Sequence, residues 1–180
     1  IRDVLNTGIL VGPGGRDGTD VPQPGSVINT PVLNNSDLAP GVVIMNNVVA
    51  NFGDTGILFS GDSNRIGDPI VPFGRIVNNT IAGTSTAISD YGIRVVNYAS
   101  PTILNNIITT TNRGILIDGT SSTTVFNYNL FQGNATNGTA ATFDISLAAG
   151  QPLFVDRANY NFYLASGSRA IDSSIDSLAD

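Results

Sequence analysis

A chain of 180 residues with 41% apolar residues suffices for one domain with a continuous core. Its formal charge is −6, and the eight arginines form no basic stripe, which argues against nucleic acid or an anionic membrane surface as partner. No apolar run approaches a bilayer span, no signal-peptide pattern is visible, and without Cys there is neither a disulfide framework nor a thiolate metal site.

Every acidic residue is Asp and every basic residue is Arg. Without Glu and Lys, the polar positions fall to Asn, Gly, Thr and Ser, which favours strands joined by tight turns and almost no helix. Along the chain two short signatures alternate. The first is a Gly-Ile run: Thr7-Gly8-Ile9-Leu10-Val11, Thr55-Gly56-Ile57-Leu58-Phe59, Tyr91-Gly92-Ile93-Arg94-Val95 and Arg113-Gly114-Ile115-Leu116-Ile117. The second ends in asparagine: Ile44-Met45-Asn46-Asn47, Ile76-Val77-Asn78-Asn79, Ile103-Leu104-Asn105-Asn106 and a degenerate Val125-Phe126-Asn127-Tyr128. Strand side chains alternate faces, so Arg94 marks the outer face of its run, and Ile93 and Val95 with their counterparts point inward. The glycine suits a bend where a side chain would crowd the backbone. The Asn pairs sit at a second bend. They either stack, led by Asn47, Asn79 and Asn106 with Tyr128 replacing Asn at the end, or are ordinary exposed turn residues.

From Gly92 to Gly114 is 22 residues, as is the step from Ile103 to Val125. That period suits a coil of three short strands, hence an all-β fold: a parallel β-helix solenoid, right-handed like most parallel connections. Five or six rungs spaced ~4.8 Å apart would stand roughly 25–30 Å tall.

This pattern resembles the right-handed parallel β-helix repeats of the pectate-lyase-like superfamily over residues 1–135. The C-terminal stretch adds Gln151-Pro152-Leu153-Phe154-Val155-Asp156, Tyr160-Asn161-Phe162-Tyr163-Leu164 and Gly167-Ser168-Arg169-Ala170-Ile171-Asp172. It is similar to the closing segment of bacterial surface β-helix proteins, including the choice-of-anchor group, with Arg169 where that family usually has Pro. The resemblance implies β-helix rungs over 1–150 and a capping segment over 151–180, in a secreted or cell-surface protein. Phe154, Phe162 and Leu164 would then form an apolar lid on the open end. Ile1 falls inside a repeat, so the chain is expected to be part of a longer one.

The step from a Gly-Ile run to the next Asn pair is 13 residues in the regular copies, but 22 from Gly56 to Asn78 and 38 from Gly8 to Asn46. Insertions near 12–40 and 60–73 therefore sit on one side of successive rungs, the side that often binds in repeat proteins. They hold Arg16, Asp17, Asp20, Asp62, Arg65 and Asp68, either as a site for a glycan or as the polar content that keeps a loop soluble. Asp17 and Asp20 lie in a Gly/Asp-rich stretch that resembles a calcium repeat but occurs once, so Ca²⁺ is the one cofactor to consider.

Many β-helix proteins cleave acidic polysaccharide, but a fold does not carry an activity. The chain has no His and no Lys to move protons. If it is an enzyme, Arg94 is the candidate base with Asp90 and Asp118 nearby. Those carboxylates sit at different offsets from their glycines, and the Gly-His-Gly motif of pectinase-like hydrolases is missing. The expectation is a structural or adhesive surface module with a polysaccharide or cell-surface glycan as partner; the alternative is the C-terminal part of a polysaccharide lyase or glycoside hydrolase.

Overall fold

A computed structural model describes residues 1–12, 41–61, 74–84, 90–139 and 141–174. The chain runs through β1 (Arg2–Val4), β2 (Thr7–Val11), β3 (Val42–Met45), β4 (Val48–Phe52), β5 (Thr55–Ser60) and β6 (Gly74–Val77). Then come β7 (Thr80–Ala82), β8 (Tyr91–Val96), β9 (Thr102–Leu104), β10 (Ile107–Thr109), β11 (Arg113–Ile117) and β12 (Val125–Asn127). β13 (Leu130–Gln132), β14 (Thr136–Gly138), β15 (Ile145–Leu147), β16 (Phe154–Asp156) and β17 (Asn161–Leu164) complete it. The described residues hold two single 3-10 turns, Gly119–Ser121 and Arg157–Asn159, in agreement with the expectation from the absence of Glu and Lys.

Three parallel sheets result. Sheet A is ordered β1-β4-β7-β10-β13-β15, sheet B β2-β5-β8-β11-β14, and sheet C β3-β6-β9-β12. From β3 to β14 the chain visits C, A and B in turn, the path of a parallel β-solenoid. Both long insertions fall on the B-to-C connection.

Register places like on like. Ile9, Ile57, Ile93 and Ile115 form one column, and Val11, Phe59, Val95 and Ile117 the next. Sheet C contributes Ile44, Ile76, Ile103 and Phe126, and sheet A contributes Val49, Ile81, Ile108 and Phe131. Ile57, Ile76, Ile81, Ile93, Ile103, Ile108 and Ile115 are fully buried. Each such burial contributes roughly 1.5–3 kcal/mol, and β-branched residues dominate because they suit a pleated wall. Arg94 aligns with Leu58 and Leu116 on the opposite face, as the alternation predicts.

The glycine of the Gly-Ile run is explained by crowding. A Cβ on Gly56 would lie 2.5 Å from Ile81 Cγ2 and 2.7 Å from the Gly92 carbonyl oxygen. On Gly92 it would lie 2.4 Å from Ile108 Cγ2 and 2.6 Å from the Gly114 oxygen. Sheet B thus turns in so closely against sheet A that only hydrogen fits.

At the C-to-A bend the asparagines stack, with one correction. Asn47, Asn79 and Asn106 are followed by Asn129, not Tyr128. Ile103 opposes Phe126, so the last copy is 23 residues from its neighbour and is read Phe126-Asn127-Tyr128-Asn129. The first residue of each pair takes the left-handed conformation: Asn46, Asn78, Asn105 and Tyr128 have φ of 58°, 56°, 57° and 55°. The second is the ladder. Asn79 Nδ2 donates to the Asn106 Oδ1 (3.0 Å), to the Val77 carbonyl (3.1 Å) and to the Ile44 carbonyl (2.9 Å), while its N–H reaches the same Oδ1 at 3.0 Å. Asn106 repeats the pattern on Asn129, Leu104 and Ile76. The bonds from each Asn to the next Asn Oδ1 run one way along the stack, which ends on Asp144, whose Oδ1 accepts from the Asn129 N–H at 2.8 Å. A carboxylate accepts without having to donate onward, so it suits the last position.

The C-terminal segment lies along a side of the solenoid. Ala50, Ala82, Thr109, Leu130 and Leu147 occupy the outer face of sheet A yet are at most 5% exposed. What covers that face is the antiparallel pair β16–β17 and the segments beside it. Leu153, Phe154 and Leu164 pack with Leu130, Leu147, Ile107 and Ile145. Arg157 donates to Thr110 Oγ1 and to the Gly83 carbonyl. Tyr160 reaches the far end, where its hydroxyl donates to Asp3 Oδ1 (3.0 Å) and accepts from Asn51 Nδ2 (2.5 Å). Phe154 and Phe162, expected in a lid over the open end, meet edge to face at 5.2 Å as part of this side covering.

Candidate functional site

The insertion residues Arg16, Asp17, Asp20, Asp62, Arg65 and Asp68, including the calcium candidates Asp17 and Asp20, lie outside the described residues. Beside the insertions' ends, on sheet C, is a groove of about 300 Å³ lined by Val43, Arg75, Ser100 and Thr102. Arg75 is exposed there.

The three candidates for chemistry are described, and each belongs to a different local network. Asp118 follows β11 and caps the Gly119–Ser121 turn. Its Oδ1 accepts from the Thr120 N–H (3.0 Å), the Thr120 hydroxyl (2.7 Å) and the Ser121 N–H (2.9 Å), and its Oδ2 from the Asn97 N–H (2.9 Å). Burial alone would push this carboxyl up, but together these hydrogen bonds hold it below its ordinary 3.8. Asp118→Ala is expected to cost about 1–2 kcal/mol at neutral pH, as for other lost caps. A depressed carboxyl gives stability above its unfolded pKa and loses it as pH falls through the folded one. The penalty should therefore shrink in acid, as urea midpoints across a pH series would report.

Asp90 precedes β8 at the A-to-B bend and is fully buried. Its carbonyl accepts the Arg113 N–H at 3.0 Å and its Oδ1 the Asn112 N–H at 2.6 Å. Oδ2 has no hydrogen-bond partner among the described residues. Burial raises this carboxyl above 3.8, against the pull of the Asn112 N–H and with a smaller push from Asp54. The sign is opposite to that of Asp118. A raised carboxyl favours the fold below its unfolded pKa, and that contribution is lost as pH rises through the folded value. Asp90→Asn should remove this term, so its stability relative to the parent should climb as pH is raised out of the acid range. Chemical unfolding of both proteins from acid to neutral pH checks the trend.

Arg94 projects from the outer face of sheet B with its guanidinium 5.2 Å from the centre of the Tyr91 ring, a cation–π contact. Its Nε is buried without a hydrogen-bond partner among the described residues. No ion pair joins it to Asp90 or Asp118; the single one among the described residues is Arg2–Asp3 at 3.7 Å, on the surface. Arg94, Asp90 and Asp118 are therefore anchored separately, in a strand and two bends.

A further site has no counterpart among the sequence candidates. Where β17 and the turn before it approach β1 and β4, a groove of about 610 Å³ opens between Arg2 and Val48 on one side and Asn159, Tyr160, Asn161, Phe162 and Tyr163 on the other. Arg2 stacks over the Tyr160 ring at 4.7 Å. The sequence signal was there in the aromatic-rich run Tyr160–Tyr163. Its pairing with the first strand, 157 residues earlier in the case of Asp3 and Tyr160, leaves no local trace. Among the described residues no three acidic side chains gather as a metal site would require, and no helix is long and apolar enough to cross a membrane. No protein-family model, curated protein or solved structure matches the chain.

Proposed function

We propose that this chain is a right-handed parallel β-helix module of the pectate-lyase-like kind, with about five to six rungs. It serves a structural and adhesive role in a secreted or cell-surface protein, with carbohydrate as its ligand. One observation supports this above others: among the described residues, the two carboxylates considered for cleavage, Asp90 and Asp118, are engaged in holding the coil. Acid–base cleavage needs two groups aimed into a shared space. Asp118 instead takes three donors from its own turn and one from Asn97 on the neighbouring rung, and Asp90 is buried at the bend before β8. A rigid stack with loops gathered on one connection is a suitable frame for recognition without turnover.

The second reading, part of a polysaccharide lyase, draws on Arg94, whose Nε has no acceptor among the described residues. Incubation with pectate, alginate and chondroitin separates the two. The module reading expects binding on a glycan array and no rise in the ultraviolet absorbance of an unsaturated product. Turnover that disappears in Arg94→Ala would replace it with the lyase reading.

A further inference from the structure

We infer that the groove between the C-terminal strand pair and β1 is the carbohydrate site, and that its ligand is a neutral oligosaccharide. This rests on the adhesive reading above and adds to it a place and a ligand class. At about 610 Å³ the groove lies within the range of small-molecule sites, roughly 300–1,000 Å³. Its make-up is that of a saccharide site: aromatic surface with a few hydrogen-bonding groups around it. Tyr160, Phe162 and Tyr163 supply the aromatic surface. Tyr163 is 81% exposed, and among the described residues no ring stacks on it. The Asn159 and Asn161 amides, each with one local bond already made (Asn159 Nδ2 to Asp156, the Tyr163 N–H to Asn161 Oδ1), and the Arg2 guanidinium add hydrogen-bonding groups to fit hydroxyls.

The site is preorganised. The Tyr160 hydroxyl is fixed by Asn51 and Asp3, which also bond to each other at 3.0 Å, and the Phe162 ring is wedged edge-on against both Phe154 and Tyr160. Little ordering is left to oppose binding.

Charge selects the ligand class. Among the lining side chains Arg2 alone is charged, stacked on Tyr160 and 3.7 Å from the Asp3 carboxylate, while the Ile1 ammonium at the groove donates to the Val48 carbonyl at 2.9 Å. Arg2 therefore presents N–H donors with little net field. The whole chain carries −6, which repels a polyanion. A neutral sugar meets neither obstacle, and its apolar face can lie on the Tyr163 ring.

The test measures binding of neutral glucan, mannan and galactan oligosaccharides, and of acidic pectate and alginate oligosaccharides, by calorimetry in physiological and about 1 M salt. The parent protein should bind at least one neutral ligand with affinity indifferent to salt. Tyr163→Ala should weaken it about tenfold while Tyr163→Phe retains it. Arg75→Gln, in the sheet C groove, should leave it unchanged. Tyr163 is mostly exposed and outside the core clusters, so its variants should fold, which circular dichroism verifies. Neutral-sugar binding that ignores Tyr163→Ala would overturn this site and leave the adhesive reading standing. Binding restricted to acidic ligands and lost in salt would overturn the ligand class. A protein that binds none of the panel would overturn both the site and the reading on which it rests.

Discussion

Asn106→Ala should destabilise the protein by about 3–5 kcal/mol, a large share of the stability of a typical domain. The substitution strips the acceptor from the Asn79 N–H, takes one of three acceptors from its Nδ2, and removes a donor from the Ile76 and Leu104 carbonyls, of which Leu104 keeps the Asn78 N–H. These groups sit where water does not reach: Asn79 and Asn106 are at most 1% exposed. Buried polar atoms without partners cost ~1–3 kcal/mol each, more than the small net gain of making a bond. The ladder also has a direction. Asn106→Asp should be nearly as costly as the alanine, because a carboxylate would face the Ile76 and Leu104 oxygens at 2.8 and 3.0 Å. Asp144→Asn should cost only about 1 kcal/mol, since an amide oxygen still accepts from Asn129 and the part-buried Ala141 N–H alone loses its acceptor. Urea unfolding of the three variants measures the contrast. Equal losses at Asn106 and Asp144 would contradict a polar ladder with an acceptor at its end.

Gly92→Ala should cost about 3 kcal/mol although it adds a single methyl group. The added carbon would meet the Ile108 side chain at 2.4 Å and the Gly114 carbonyl oxygen at 2.6 Å. Neither can yield easily: Ile108 is buried in the core, and Gly114 belongs to β11, hydrogen-bonded to β8. Gly119 provides the control. A Cβ there has nothing within 4 Å, so Gly119→Ala should fall within about 0.5 kcal/mol of the parent. The comparison isolates steric crowding at the Gly-Ile bend from the general effect of replacing glycine, and thermal unfolding is enough to read it.

The parts of the fold visible in the sequence were those the repeat makes redundant. Four copies of the Gly-Ile run announce a column, and Arg94 among three leucines tells which side of it faces out. The Asn pairs located the second bend, but the weakest copy misled by one residue. Read in isolation, Asn127-Tyr128 looks like a damaged Asn-Asn, whereas pairing of Ile103 with Phe126 moves the match to Tyr128-Asn129. The first residue of the pair has only to accept a left-handed backbone, which Tyr128 does at some cost; the second must carry an amide, and does. Spacing alone does not separate these two demands.

The candidate site was less legible, because burial and hydrogen bonding decide what a carboxylate can do. Asp118 looked like a catalytic partner by its place after a Gly-Ile run, yet the small polar residues that follow, Thr120 and Ser121, turn it into a cap. The side covering was hidden for a different reason. The outward Ala50 and Ala82 of sheet A leave room for a second layer. Which segment fills it depends on contacts such as Arg157 to Gly83 and Tyr160 to Asp3, which have no periodicity to reveal them. The aromatic groove follows from that covering and so was equally out of sight.

Binding and cleavage measured together on one panel of neutral and acidic polysaccharides test the central claim most directly. A frame in which Asp90 and Asp118 serve structure should retain a neutral glycan over many hours and release no new chain ends. Release of fragments by the purified protein, faster than in its absence and lost in Arg94→Ala, would contradict it.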